Sequence, residues 1–441
     1  MSGPPAEAPV PSPAAMMPAR WVPLLYFAFA HATLATAFAL LAFRTSSLAG
    51  FFYHPRMLAV VHLVTLGWIS ASILGAVYVI GPLAFRMPLP ARRGDYAAFA
   101  GFSIGVTGMS SHFWIDSPRG TAWAAGLVAA AMTHVAARGL AGLRRAPVPA
   151  EARLPMALAF VNMIAAAGLG LLAAVHKVAP FARVAQLDLV YAHAHLAALG
   201  WGAMMVVGAG YRMLPMILPA AMPRGRVAYA SAVLLEAGVG GLVAGFLTGG
   251  RGLWIAAPLT VAGLAAFLSR VVWMLRHRKP APAELRRPDW ATAHALQAMI
   301  CLLAACGLGL YLAVAERSET TLALSNVYGV IALVGFLSQI VVGVESRILP
   351  LFAWLWGFAD RAHAEMPPSL HAASLRPLQA LVFLLWTAGV PLLAFGLGTG
   401  RMTALTLGAG ALLAAVVAGL VNAVVVLVRL WRTPAFPSAS S

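Results

Sequence analysis

Three histidines set deep in apolar sequence offer the first chemistry. His62 opens the stretch HLVTLGWISASILGAVYVIGP, and His195 opens HLAALGWGAMMVVGAGYRMLP, with His193 two residues before it. The two 21-residue stretches are offset by 133 and identical at nine positions, among them His62/His195, Gly67/Gly200, Trp68/Trp201, Gly75/Gly208, Tyr78/Tyr211 and Pro82/Pro215. Apolar helices share Leu and Ala by chance, but seldom His, Trp, Tyr and Pro in register. A neutral imidazole is a ligand for iron or copper, and an ionisable group inside a bilayer is costly unless paired or liganded. His62, His195 and His193 are therefore the candidate metal or haem ligands. At 100° per residue His193 points about 200° away from His195, toward a different neighbour. Trp68, Tyr78, Trp201 and Tyr211 are candidate lining of a cofactor pocket. The alternative for every histidine is interhelical hydrogen bonding, and for the aromatic residues ordinary packing.

A weaker third copy follows at an offset of 135: Gly335, Phe336, Val341, Val342, Gly343, Arg347, Leu349 and Pro350 match Gly200, Trp201, Val206, Val207, Gly208, Arg212, Leu214 and Pro215. Val330 stands where the histidine would recur. Such internal repetition predicts three pseudo-repeated units arranged in parallel about an axis along the membrane normal.

Composition fixes the surroundings. Of 441 residues, 61% are hydrophobic and 10% charged, against about 25% charged in an average soluble chain. That excludes a soluble enzyme and a disordered chain. The net charge of +17 would suggest a nucleic-acid binder, but in a membrane protein a basic excess reports loop topology, so no nucleic-acid partner is expected. About 20 apolar residues cross the hydrocarbon, and the sequence predicts an all-α polytopic protein with about twelve spans, at 22–44, 57–82, 96–115, 121–143, 155–178, 187–218, 226–248, 252–275, 290–315, 322–352, 375–398 and 402–430. These group as a disordered tail 1–20, four-helix units 21–153, 154–287 and 288–432, and a tail 433–441. The first span reads as a retained helix rather than a removed signal peptide. Arg-rich loops (Arg86, Arg92 and Arg93; Arg144, Arg145 and Arg153; Arg224 and Arg226; Arg276 to Arg287; Arg361 and Arg376) alternate with poor ones. The positive-inside rule then puts both termini in the cytoplasm of a bacterial-type inner membrane.

With that topology His54, His62, His112, His176, His193 and His195 share the outer layer. His31 and His134 lie deeper, His294 is near the inner face, and His277, His363 and His371 fall in cytoplasmic loops. Cys301 and Cys306 read as packing, and two cysteines exclude a four-thiolate centre. Gly67 and Gly75 lie on the side of their helix opposite His62 and permit a close helix approach. Met204, Met205, Met213 and Met216 are compatible with copper but read as core filler. Glu236, Glu345, Gln297 and Gln339 are polar residues within spans that could serve a proton route.

Twelve spans in three four-helix arcs, with a second helix reading H-x4-G-W-x6-G-A-x-Y-x3-P, resemble subunit I of the haem–copper oxidases, in particular the nitric oxide reductase and cbb3-like branch. The opening from His54 and Pro55 through His62 to Gly67 and Trp68 is similar to small subunit-I-like membrane proteins of that superfamily. The resemblance covers all spans in topology, and the second, sixth and tenth in motif. It implies that His62 is an axial ligand of a low-spin b-type haem, placed toward the outer face. The family's His-x-His on the tenth helix is replaced by Ser325, Asn326 and Val330, there is no His-His pair, and the sixth helix lacks the His-Pro-Glu-type copper motif. The resemblance therefore implies a degenerate relative keeping the scaffold and one haem, with His195 serving by pseudo-symmetry as second ligand. It would act in electron transfer or in binding O2 or NO, with a respiratory or electron-donating subunit as partner, rather than in proton-pumping oxygen reduction. Copper or haem handling for oxidase assembly, and a metal-free scaffold, are the alternatives. Reporter fusions test the topology: a moiety active only outside the cytoplasm is expected to be active after residue 116 and silent after residue 147, and the reverse pattern would contradict it.

Overall fold

A computed structural model of the chain describes residues 17–280, 288–358 and 373–431. The predicted tails lie largely outside these residues, as do Arg286, Arg287, Arg361, His363 and His371. The described residues are helical, with no strand among them. They form α1 (Trp21–Phe43), α2 (Pro55–Phe85), α3 (Arg93–Trp114), α4 (Pro118–Arg145), α5 (Ala150–Val178), α6 (Gln186–Ile217), α7 (Arg226–Leu247), α8 (Leu253–Arg276), α9 (Trp290–Val314), α10 (Glu319–Gly357), α11 (Arg376–Thr399) and α12 (Met402–Trp431). Eleven are long and apolar enough to cross a membrane. The remaining one, α3, is 22 residues long but opens with Arg93 and Asp95 and carries Ser103, Ser110, Ser111 and His112. The outer surface matches a lipid solvent: Trp123 is 82% exposed, Trp254 68% and Leu303 65%, large apolar groups that a water-soluble surface rarely displays in such number. The chain is thus an all-helical, multi-pass membrane protein.

The repeat reappears in the backbone. Each of α2, α6 and α10 widens into an eight-residue π-helical segment: Leu63–Ser70, Leu196–Ala203 and Ile331–Ser338. Their starts are separated by 133 and 135 residues, the two sequence offsets. His62, His195 and Val330 each immediately precede the segment. A π turn shifts the hydrogen-bond ladder and leaves backbone carbonyls to be satisfied from elsewhere, which in hydrocarbon must be done by protein. Asn162 Nδ2 on α5 donates to the Gly200 carbonyl at 3.1 Å, and Trp386 Nε1 on α11 donates to the Val334 carbonyl at 3.2 Å.

The glycines of the repeat explain how the helices come so close. Gly67, Gly200 and Gly335 face Thr33 on α1, Asn162 on α5 and Cys301 on α9. Eight residues later, Gly75, Gly208 and Gly343 face Tyr26, Met156 and His294 on the same three helices. So the first helix of each unit lies against the glycine face of the second. Cys301 and Cys306 are buried and free, as packing residues.

The three marked helices run side by side in the same direction. Trp201 Nε1 on α6 donates to Ser70 Oγ on α2 at 3.1 Å, and farther along Arg212 Nε donates to the Ala84 carbonyl at 3.0 Å. At one end of the bundle the Arg20 guanidinium lies over Trp356 and Trp431, gathering the start of α1 with the ends of α10 and α12. At the other, Thr45 and Thr406 share a hydrogen bond of 2.9 Å between the end of α1 and the start of α12.

A side chain at Gly208 would place its Cβ 2.6 Å from Met156 Cγ and 2.8 Å from the Met156 backbone nitrogen. Gly208→Leu is therefore expected to destabilise the bundle by about 1–3 kcal/mol, read as a lower melting temperature in detergent. An unchanged melt would contradict the close α5–α6 contact.

Candidate functional site

His62 and His193 meet across α2 and α6. Their ring centroids are 6.4 Å apart and their planes within 10° of parallel. His62 Nδ1 lies 2.7 Å from the Leu58 carbonyl one turn back on its own helix. His193 Nδ1 lies 3.0 Å from the Ala166 carbonyl on α5. A carbonyl can only accept, so each Nδ1 carries the hydrogen and each Nε2 keeps its lone pair. That is the arrangement in which a second hydrogen bond fixes tautomer and ring orientation for ligation. Phe113 on α3 covers His62, with centroids 4.9 Å apart. Gly170 leaves room for the other ring, since a Cβ there would lie 2.7 Å from His193 Cε1.

His195 faces elsewhere. Its Nδ1 donates to the Tyr191 carbonyl at 2.8 Å, and its ring packs on Phe246 of α7 and on Tyr328 of α10, with centroids 4.9 Å and 6.3 Å away. The repeat register accounts for both pairings. Tyr328 occupies in the third unit the place that His193 has in the second, 135 residues on. In each case the residue just before one π segment faces the residue three before the next. His195 is therefore turned toward α10, and the imidazole that reaches His62 is His193. The partner of His62 differs from the His195 expected by pseudo-symmetry because two residues along a helix rotate the side chain by about 200°.

The aromatic candidates sit apart from these rings. Trp68 is buried edge-on against His31, with centroids 5.2 Å apart. Trp201 packs on Phe160 as well as binding Ser70. Tyr78 and Tyr211 lie sixteen residues beyond His62 and His195, about 24 Å along the helix axis. Tyr78 donates its hydroxyl to Asp95 Oδ1 at 2.9 Å, and Tyr211 shares a hydrogen bond of 2.7 Å with Ser231. These four aromatics line the helix interfaces rather than the imidazole pair.

The other described histidines have local partners or neighbours. His54 Nδ1 accepts from the Arg56 amide and caps α2, and His176 Nδ1 accepts from the Phe181 amide. His112 lies against Gly120 in the α3–α4 turn, and His277 stacks on Trp273. His134 pairs with Asp95, and His31 lies 3.6 Å from Glu345. Met204, Met205 and Met213 are buried in the core while Met216 is exposed, so the methionines do not converge. Among the described residues no three His, Cys, Asp or Glu side chains gather as a metal-ligand group.

Sequence reasoning ranked His195 above His193 and missed Phe113, Phe246, Tyr328 and Gly170. The offset that maps His193 onto Tyr328 was available, but which helix each faces depends on packing.

Asp95 is the most buried charge described, fully enclosed and held by Tyr78, His134 and the Arg138 guanidinium at 2.9, 3.1 and 3.2 Å. Removing one member of such a network leaves an uncompensated charge. Asp95→Ala is expected to cost about 3–5 kcal/mol of stability in detergent melts without altering the His62–His193 pair. A loss below about 0.5 kcal/mol would contradict its structural role.

No protein-family model matches the chain, and no curated protein sequence is significantly similar to it.

Proposed function

We propose that the protein is a haem-binding electron-transfer protein of the membrane, with a b-type haem held between α2 and α6 by His62 and His193. The observation that carries this reading is the imidazole pair itself. The two ring centroids lie 6.4 Å apart with the planes nearly parallel, each ring held through Nδ1 so that its Nε2 lone pair is free to ligate. Donor count favours a porphyrin over a bare ion, because a porphyrin supplies four nitrogens and asks the protein for only two axial ligands. Copper, which would need a larger protein ligand set, is less well served.

Bound there, haem would supply one-electron redox chemistry. The chain supplies the rest. The Leu58 and Ala166 carbonyls hold the two rings in orientation through Nδ1. Phe113 excludes water from one side, and Gly170 gives His193 its space. Because His62 and His193 would both be used in holding the haem, electron transfer is preferred to O2 or NO binding, and full oxygen reduction is not part of the reading.

The resemblance to subunit I of the haem–copper oxidases belongs to the same proposal, and to the missing copper motifs it adds a further departure: the partner of the second-helix histidine comes from α6 instead of α10. So do the bacterial-type inner membrane, the cytoplasmic termini and an electron-donating partner subunit.

The test is spectroscopic. Protein purified from haem-replete cells is expected to show the Soret and split visible bands of a low-spin b-type haem, unshifted by carbon monoxide. His62→Ala and His193→Ala each abolish the low-spin spectrum, whereas His195→Ala retains it. Absence of any haem spectrum in the wild type, or its survival in both of the first two variants, would refute the reading.

A further inference from the structure

A second polar site lies in the other half of the bundle, independent of the imidazole pair. Helices α1, α9, α10, α11 and α12 enclose a cavity of about 70 Å³ that His31, His294, Glu345, Gln379 and Asn422 help to line. A water needs roughly 10–15 Å³ by this measure, so the space holds about five. Its polar groups are incompletely partnered by protein. Glu345 is 8% exposed with no hydrogen bond to Oε1, and His294 is 2% exposed with none to Nδ1. His31 Nδ1 donates to the Phe27 carbonyl at 2.9 Å and lies 3.6 Å from the same Glu345 Oε1, just beyond a direct hydrogen bond. Two buried polar side chains left unsatisfied on one cavity wall are the condition under which internal water is held.

The lining groups stand toward one end of the bundle. Gln379 and His294 are three and four residues inside the first residues of α11 and α9, and Asn422 is nine residues before the end of α12. Gly343 packs on His294 Cβ and Arg347 pairs with Asp289, so Glu345 is level with the first turn of α9. The polar groups thus gather around the carboxyl on the side of the bundle marked by Arg20. The charged and titratable groups near Glu345 are few. His31 faces it from α1 and His294 from α9, while Arg347 on its own helix is engaged with Asp289. The lining residues named from α11 and α12, Gln379 and Asn422, are uncharged.

We propose that this cavity is a hydrated proton-exchange site: Glu345 takes up and releases a proton, and water held by His31, His294, Gln379 and Asn422 connects it to the Arg20 end of the bundle. Only a proton moves, from water to a carboxylate oxygen and back, so no redox partner is needed. The imidazole pair and its cofactor play no part.

Infrared difference spectroscopy on the full-length protein in lipid nanodiscs tests this directly. The acid-minus-alkaline spectrum is expected to contain the C=O stretch of a protonated carboxylic acid. Glu345→Gln removes that band, and His31→Asn moves its titration midpoint by about one pH unit, ten-fold in proton affinity. In wild-type protein the band shifts within minutes of transfer to D2O. No titrating carboxyl band, a band that persists in Glu345→Gln, or a band unmoved by D2O over hours would overturn the proposal. So would displacement of the band by sodium or potassium at constant ionic strength, which would make the site a metal-cation site. Because the readout is a carboxyl vibration, loss of the haem reading would leave this result standing, and the reverse.

Discussion

Backbone hydrogen bonding in hydrocarbon allows almost no slack, and the three central helices use what there is at matching places. A π segment in α2, α6 and α10 interrupts the ordinary ladder. Neighbouring helices then have to supply donors and close packing there. Asn162 and Trp386 satisfy freed carbonyls, and the glycine faces of the three helices bring α1, α5 and α9 into contact. The residue just before each π segment faces the position three before the next one. His62 and His195, alike in sequence, therefore meet different partners because that position holds His193 at one unit boundary and Tyr328 at the next. The third position, Val330, carries no imidazole to continue the pattern.

Much of the frame was legible from apolar run length. All twelve predicted spans overlap observed helices, and the largest difference is at α10, expected over 322–352 and found from Glu319 to Gly357. The polar span α3 was legible from the same run length, and the alternation of Arg-rich and Arg-poor loops independently supports the even count that includes it. The repeat was legible because His, Trp, Gly, Tyr and Pro recur in register, and the glycine faces followed from helical spacing alone.

What escaped the sequence was orientation. A π turn holds more residues than an α turn, so angles counted at 100° per residue drift across the segment and no longer say which neighbour a side chain reaches. Which helix His193 and His195 each meet is one case, set by packing, since both precede the segment and their separation of about 200° holds. Trp68 and Tyr78 are another: shared identity across the repeat suggested a common pocket, whereas Trp68 packs on His31 and Tyr78 serves the buried Asp95. Identity within a repeat records a shared packing problem at least as often as shared chemistry. The polar groups consequently separate into distinct neighbourhoods. Paired imidazoles stand toward the starts of α2 and α6. The Asp95 network sits at the far end of α2, and the carboxyl of Glu345 lies at a similar depth on the α10 side.

The central claim is that a planar cofactor sits between α2 and α6 with an imidazole on each face. The most direct measurement is a cryo-electron microscopy map of the protein isolated from haem-replete cells. The account predicts planar density bridged to both residue 62 and residue 193, with residue 195 still against Tyr328. A map with those two helices closed on one another, the two rings in direct contact and no density between them, would contradict it.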